Sequence, residues 1–242
     1  MNDTLIFTIA TGGYHWRFRK NIESQRAYAA KHGYVYSVVD WPKFTLLDLE
    51  IVWLKIYLLH EALKKEYRWV VFVDADAEIK PRCPPVSHVY QPGKSIYAAK
   101  GYSNRVNSGV LIFHNDNNSR AFVAKVLVNR TQPIPTEDSV GWGENGHVIH
   151  FAKQNPHVLV LDKRWNNNHN PDLRDYIRHY SAGPLRSTYI ASVWDSLRFT
   201  LCRYAQAIGR RLCARVFRAK PTGELLQNLC SAVVKRDKAF AP

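Results

Sequence analysis

The sequence is poor in the features that most quickly betray a function. Its four cysteines, at positions 83, 202, 213 and 230, include no C-x-x-C pair. That excludes a disulfide framework and a zinc ribbon, and it suits a reducing compartment. No apolar run approaches the roughly 20 residues a spanning helix needs. The chain passes from Met1, Asn2 and Asp3 straight into an apolar strand with no basic-then-apolar leader, so no secretory signal is expected. There is no internal repeat, no low-complexity segment and no G-x-G-x-x-G fingerprint of dinucleotide binding. Acids are scarce: 20 Asp and Glu face 34 Lys and Arg in 242 residues, a net charge of +14. Apolar residues are plentiful at 46%, with 22% charged, which gives a sizeable core and excludes a largely disordered chain. The length fits one or two domains. The basic excess suits nucleic acid, an anionic membrane surface or a phosphorylated substrate.

Apolar runs at Leu5–Ala10, Tyr34–Val39, Trp69–Val73, Ile96–Ala99, Val110–Phe113 and His157–Leu161 read as strands. The Trp69–Val73 run is continuous in its apolar character, as in a strand covered on both faces. Helical patterns fall at about Arg19–His32, where Gly33 is a stop signal, at Leu46–Lys65 and at Ser119–Val128. Strands alternating with helices predict an α/β domain, Rossmann-like, with a mainly parallel sheet and helices on both faces. Ligands of such sheets bind beyond the carboxyl ends of the strands.

At one such end stands Val73-Asp74-Ala75-Asp76-Ala77-Glu78. Two carboxylates two residues apart in extended chain point the same way. Neighbouring ionised acids repel unless a proton or a cation lies between them. A hard divalent ion such as Mn²⁺ or Mg²⁺ relieves that repulsion and leaves positions open for phosphate oxygens. A solvated pair of loop acids is the plain alternative. Two metal chemistries fit: glycosyl transfer from a sugar nucleotide, and phosphoryl transfer through an aspartyl-phosphate at Asp74, as in haloacid-dehalogenase-like phosphatases. The second usually has its Asp pair on the first strand and a later acidic pair, and neither pattern is present here.

From this point several segments resemble metal-dependent glycosyltransferases of the GT-A fold, including bacterial sugar transferases and galactosyl- and xylosyl-transferases. The resemblance runs over residues 4–183. Asp74-Ala75-Asp76 resembles the family D-x-D. Thr8, Ala10, Thr11 and Tyr14 look like its nucleotide-binding edge. Asn107-Ser108-Gly109, opening an apolar strand, resembles the segment facing the donor sugar. Glu144-Asn145, after Trp142-Gly143, looks like the acidic-plus-amide pair near the anomeric carbon, where the family more often has Asp-Gln. His179-Tyr180-Ser181-Ala182-Gly183 resembles the closing segment whose histidine completes the metal site. The resemblance therefore implies a metal site of Asp74, Asp76 and His179. It implies donor-binding by Thr8, Ala10, Thr11, Tyr14, Lys55, Asp74, Ala75, Asn107 and Ser108, and catalytic roles for Glu144, Asn145 and Asp76.

Plainer readings stand beside these. His179 is a ligand or a packing histidine, and Lys55 faces the nucleotide phosphates or is an exposed helix lysine. Tyr14 stacks on a base or packs. Asn107 and Ser108 bond sugar hydroxyls or open a strand by a turn. Glu144 serves the anomeric centre or sits at a helix start for dipole reasons. Trp165 and the Asn-rich run 166–170 are an acceptor loop or an ordinary turn.

After Gly183-Pro184 the composition shifts. Residues 195–220 hold seven Lys and Arg against one acid, Asp195. Trp194, Leu197, Leu201, Tyr204, Ala205, Ile208, Leu212 and Val216 recur at helical spacing on one face, with Arg203 and Arg210 opposite and Arg211 and Arg218 to one side. This matches a helix lying in a membrane interface, or else a docked helix with a solvated basic face. No nucleic-acid-binding module is visible. The sequence thus predicts a catalytic domain at 1–190 and a basic amphipathic helical extension at 191–242. The expected activity is metal-dependent transfer of a hexose from a nucleotide-diphosphate sugar, UDP-linked, to a glycan or lipid-linked acceptor, with retention of configuration. The expected setting is cytoplasmic, on an anionic membrane surface. The alternatives are the phosphatase and a non-catalytic basic protein binding membrane or nucleic acid.

Overall fold

A computed structural model describes residues 3–43, 45, 47, 49–140, 143–216 and 222–240. Leu46, Trp142, Arg218 and Lys220, together with the side chains of Arg215 and Val216, lie outside the described residues. The elements are β1 (Thr4–Ile9), α1 (Tyr14–Arg17), α2 (Arg19–His32), β2 (Val35–Val39), α3 (Leu54–Ala62), β3 (Trp69–Val73), β4 (Ala77–Ile79), β5 (Ile96–Lys100), β6 (Val106–His114), α4 (Asn117–Val128), α5 (Asn145–Lys153), β7 (Val158–Leu161), β8 (Ile177–His179), α6 (Val193–Val216) and α7 (Thr222–Arg236).

Six strands form one sheet in the order β2-β1-β3-β6-β5-β7. β1 pairs parallel with β2 and β3, and β5 parallel with β7. β6 runs antiparallel to both its neighbours. The sheet is thus mainly parallel with one reversed strand, as expected for the fold class. Side chains alternate between two buried layers. Leu5, Phe7, Val70, Phe72, Leu111 and Phe113 face one layer; Ile6, Val71, Val73, Val110 and Ile112 face the other. Both faces are covered, which is why β3 reads as an unbroken apolar run.

The elements depart from the sequence expectation in three places. The long helix expected over Leu46–Lys65 is a 3₁₀ turn at Leu49–Trp53 followed by the shorter α3. A second, two-stranded sheet pairs β4 antiparallel with β8, Ala77 opposite His179. Three-residue strands carry too little periodicity to be read from sequence. Finally, α7 returns to the main core: Leu226, Leu229, Cys230 and Val233 are buried there, and the Phe240 ring meets Phe7 edge-on at 5.2 Å. Among the described residues, tail segment 191–242 therefore holds one helix in the core and one, α6, that packs on α1. Cys83, Cys202 and Cys230 are free thiols. No helix among the described residues is long and apolar enough to cross a membrane.

The start of α4 shows how the local sequence sets these boundaries. Asp116 caps it, accepting from the Asn118 and Ser119 backbone N–H groups, while Ser119 Oγ accepts from the Asp116 N–H. Ser95 Oγ also donates to Asp116 at 2.6 Å. Burial pushes the Asp116 carboxyl upward, but the bonds from Ser95, Ser119, His114 and Asn118 outweigh it and hold the group below the usual range. Its stabilisation is therefore full above the unfolded-chain value of about 3.9 and is lost as pH falls through the folded value. Asp116→Ala is expected to lower stability by about 1 kcal/mol near neutral pH. In urea unfolding the difference from the parent protein should shrink below about pH 4.

Candidate active site

The D-x-D segment leaves β3 at the carboxyl end of the sheet's centre. Its backbone is fixed before its side chains are used. The Asp74 N–H donates to the Gly109 carbonyl at 2.7 Å, and the Tyr180 N–H donates to the Asp76 carbonyl at 2.9 Å. Gln25 of α2, fully buried, donates from Nε2 to the carbonyls of Asp74 (2.9 Å) and Ala77 (2.7 Å), and its Oε1 accepts from Tyr36. The β4–β8 pairing then carries His179, more than a hundred residues away in sequence, to the side of Asp76.

The outcome is one cluster. A ligand atom from each of Asp74, Asp76 and His179 lies within 4.8 Å of the others. His179 Nε2 is 3.0 Å from Asp76 Oδ1 and 3.6 Å from Asp74 Oδ2. Gly109 makes the room: a Cβ there would stand 2.0 Å from His179 Cε1 and 2.8 Å from Asp74 Oδ2. Two carboxylates and an imidazole are a donor set suited to Mn²⁺ or Mg²⁺. The Asp74 side chain is 30% exposed, so the cluster is open to solvent on one side. The residues present fit a divalent cation.

Positive side chains surround the pair. Lys55 is buried, its Nζ 2.8 Å from Glu144 Oε1 and 3.5 Å from Asp74 Oδ1, with the Phe72 ring centroid 4.7 Å away. Arg186 donates from Nη1 to Asp76 Oδ2 at 3.0 Å and to the Tyr180 carbonyl at 2.9 Å. The charges shift accordingly. Burial, reinforced by Asp76 and countered by Lys55, pushes Asp74 up to about 6. Asp76 is pushed the same way by burial, but His179 and Arg186 outweigh it and hold its carboxyl below the usual range. Burial works against charge on His179 and Lys55 too. Asp76 and Asp74 more than offset it for His179, and Asp74 and Glu144 for Lys55, so both are raised.

The remaining expected residues fall in two places. Ser108 and Asn145 join the cluster: Ser108 Oγ donates to Glu144 Oε1 at 2.6 Å, and the Ser108 N–H to Asn145 Oδ1 at 2.8 Å. Glu144 is only 3% exposed, turned to Lys55 and Ser108. Asn107 Oδ1 accepts from the Gly109 N–H at 3.0 Å and from Asn166 Nδ2 at 2.9 Å. Thr8, Ala10 and Thr11, at the end of β1, are buried. Ala10 and Ala75 pack together with Phe18 and Ile22. Tyr14 sits between the rings of Phe18 and of Phe199 on α6, 5.7 and 5.4 Å away. In the Asn-rich run Asn166, Asn167 and Asn168 are buried, while Asn170 is exposed. Sequence reading missed Gln25 and Arg186. Arg186 had one available signal, a basic residue three places after Gly183 in the closing segment.

No protein-family model and no curated protein sequence matches the chain. Solved structures do. A glycosyltransferase involved in the glycosylation of the major capsid of PBCV-1 matches with a TM-score of 0.60 and 14% identity, over 83% of this chain and 98% of its own. The galactosyltransferase LgtC, in complex with donor and acceptor sugar analogs, matches with a TM-score of 0.56 and 12% identity, over 83% and 95%. The apo-form glycosyltransferase GlyE of Streptococcus pneumoniae TIGR4 matches with a TM-score of 0.51 and 10% identity, over 96% of this chain and 64% of that one. Identities this low establish the fold, and the chain has the GT-A fold that the sequence resemblance implied.

The space left by Gly109 sets a prediction. Gly109→Ala is expected to displace His179 or Asp74, costing about 1–3 kcal/mol of stability as an overpacked site. Calorimetric titration should show Mn²⁺ binding to the parent protein and at least tenfold weaker binding to the variant.

Proposed function

We propose that the chain is a metal-dependent glycosyltransferase. It moves a hexose from a nucleotide-diphosphate sugar, UDP-linked, to a glycan or lipid-linked acceptor, with retention of anomeric configuration. The observation that carries this reading is the cluster of Asp74, Asp76 and His179 at the carboxyl end of β3, in a chain of the GT-A fold. Asp74, Asp76 and His179 would hold Mn²⁺ or Mg²⁺. When bound, such an ion supplies Lewis-acid stabilisation of the charge that grows on the leaving diphosphate.

The chain's own residues do the rest. Arg186, partly exposed beside Asp76, offers a second positive group to the departing phosphate. Lys55 lies between Asp74 and Glu144 and sets one positive charge against both acids. Asn107, Ser108 and Asn145 present the polar edge against which sugar hydroxyls are placed. Retention is supported by where the acids are spent. Of the carboxylates on these segments, Asp74 and Asp76 form the cation site, Glu144 is locked to Lys55 and Ser108, and Glu78 is bonded to Tyr180 and Lys80. None of them stands free as the general base that inversion by an acceptor hydroxyl requires. The aspartyl-phosphate alternative needs Asp74 as a free nucleophile, whereas here it is shared between Lys55 and His179.

The same reading places α6 on an anionic membrane surface from the cytoplasmic side. Amphipathic helices ordinarily turn the apolar stripe inward. Trp194, Leu197, Leu201, Tyr204, Ile208 and Leu212 are instead all exposed, Trp194 at 71%. The inward face carries Asp195, paired to Arg19, and Gln206, which donates to the Lys43 carbonyl. Exposed Arg198 and Arg211 flank the stripe, and each cation near an anionic leaflet contributes about 1 kcal/mol.

Two experiments test these statements. Purified protein with Mn²⁺ and a panel of nucleotide sugars should turn over a UDP-linked hexose. EDTA should abolish the turnover, and Asp76→Asn should lower it at least a hundredfold with the fold unchanged by circular dichroism. Undiminished turnover in EDTA refutes the metal role, and an inert panel refutes the transferase. For α6, the double variant Leu201→Glu, Ile208→Glu should lose co-sedimentation with phosphatidylserine-containing vesicles. Equal pelleting by parent and variant removes the helix from that role.

A further inference from the structure

The asparagine run after β7 was open to reading as an acceptor loop, yet its first member has no access to an acceptor. Asn166 is fully buried, and both ends of its carboxamide are committed. Nδ2, which can only donate, faces two oxygens of Asn107: Oδ1 at 2.9 Å and the backbone carbonyl at 3.2 Å. That fixes which end is which. Oδ1 therefore points the other way, 2.8 Å from His179 Nδ1. An amide oxygen can only accept, so Nδ1 carries the proton. In neutral imidazole the lone pair then resides on Nε2, the atom that faces Asp76 at 3.0 Å and Asp74 at 3.6 Å.

The geometry points to a positioning role: we propose that Asn166 fixes the tautomer and the ring plane of His179, so that Nε2 is the atom offered to the cation. The inference rests on the metal-dependent reading above and adds a residue to it. The same oxygen of Asn107 that receives Asn166 Nδ2 also receives the Gly109 N–H. The glycine that makes room for the imidazole and the amide that orients it are therefore tied to one atom. A metal-bound histidine whose other nitrogen is bonded to a fixed acceptor is both oriented and made more basic, and loss of such a partner typically weakens metal binding 10–100-fold.

Mn²⁺ affinity of the full chain, measured calorimetrically without substrate, tests this. Asn166→Leu removes the acceptor and should weaken binding roughly 10–100-fold. Asn166→Asp keeps an acceptor for the Nδ1 proton but turns its other oxygen toward the two Asn107 oxygens, and it should bind Mn²⁺ measurably tighter than Asn166→Leu does. Equal affinity of parent and Asn166→Leu overturns the proposal. So does an Asn166→Asp affinity as weak as that of Asn166→Leu, which would assign the residue to the Asn107 tether instead. Should Asn166→Leu not fold, ¹⁵N-detected histidine spectra of the Mg²⁺-loaded parent decide alone: a protonated Nδ1 on His179 supports the assignment and a protonated Nε2 overturns it. A parent chain that binds no Mn²⁺ at all overturns the metal reading and this inference together, and is seen before any variant is made.

Discussion

Two carboxylates at the end of a buried strand repel each other and lose hydration, and the surroundings of Asp74 and Asp76 answer that constraint. Burial alone raises the cost of both charges. Lys55, His179 and Arg186 each stand within 3.5 Å of one of the acids, and each comes from a different part of the chain. Lys55 is set by α3, His179 by β8 and Arg186 by the turn that follows. Removing one member of a buried pair leaves the other charge uncompensated, which typically costs about 3–5 kcal/mol. The cluster is therefore a constraint on the fold as well as a site. It ties α3, the end of β3, the small β4–β8 sheet and the closing segment to one another through charge.

Much of this was legible because the signals were strong and local. The apolar run of β3 followed by Asp74 and Asp76 is visible in eight consecutive residues, and the alternation of strands and helices fixes the fold class. Lys55 could be singled out only as one of two readings, since a helix lysine looks the same whether it is buried or exposed. What the sequence hides is pairing. β4 and β8 are three residues each, and nothing in Ala77–Ile79 announces Ile177–His179 as its partner. Gln25, an ordinary polar residue on an amphipathic helix, became structural only once its carboxamide met two carbonyls of the D-x-D turn. The fate of α7 was hidden for a related reason. Its apolar face is clear, but which core it enters depends on the face that α3 leaves open to it.

The asparagine run adds burial to what its sequence announces. Consecutive asparagines read as a polar turn because the side chain commonly bonds its own backbone. Here those turn bonds are made, Asn167 Oδ1 accepting from the N–H groups of His169 at 3.3 Å and Asn170 at 3.0 Å, and Asn166, Asn167 and Asn168 are buried besides. Asn167 donates to Asp175 at 2.8 Å and Asn168 Oδ1 receives the Tyr102 N–H at 2.9 Å, so these amides replace water for groups that the chain has buried. A buried carboxamide with both ends satisfied is rigid, and rigidity is what a histidine needs from its neighbour if it is to offer one particular nitrogen.

The orientation of α6 follows from the same accounting of polar groups. Its inner face meets the loop after β1, where Gly12 and Gly13 leave no side chain and the approach is close: a Cβ on Gly13 would stand 3.0 Å from Cys202 Cβ, and one on Gly12 would stand 3.1 Å from Gln206 Nε2. Cys202, Gln206 and the ring of Phe199, whose Cδ2 would lie 3.3 Å from the same Gly13 Cβ, fill this contact. A helix is about 10–12 Å across with its side chains, so the exposed stripe lies roughly one helix diameter from the turn at Gly12 and Gly13. The exposed apolar stripe and the contact with the loop after β1 thus occupy different faces of α6.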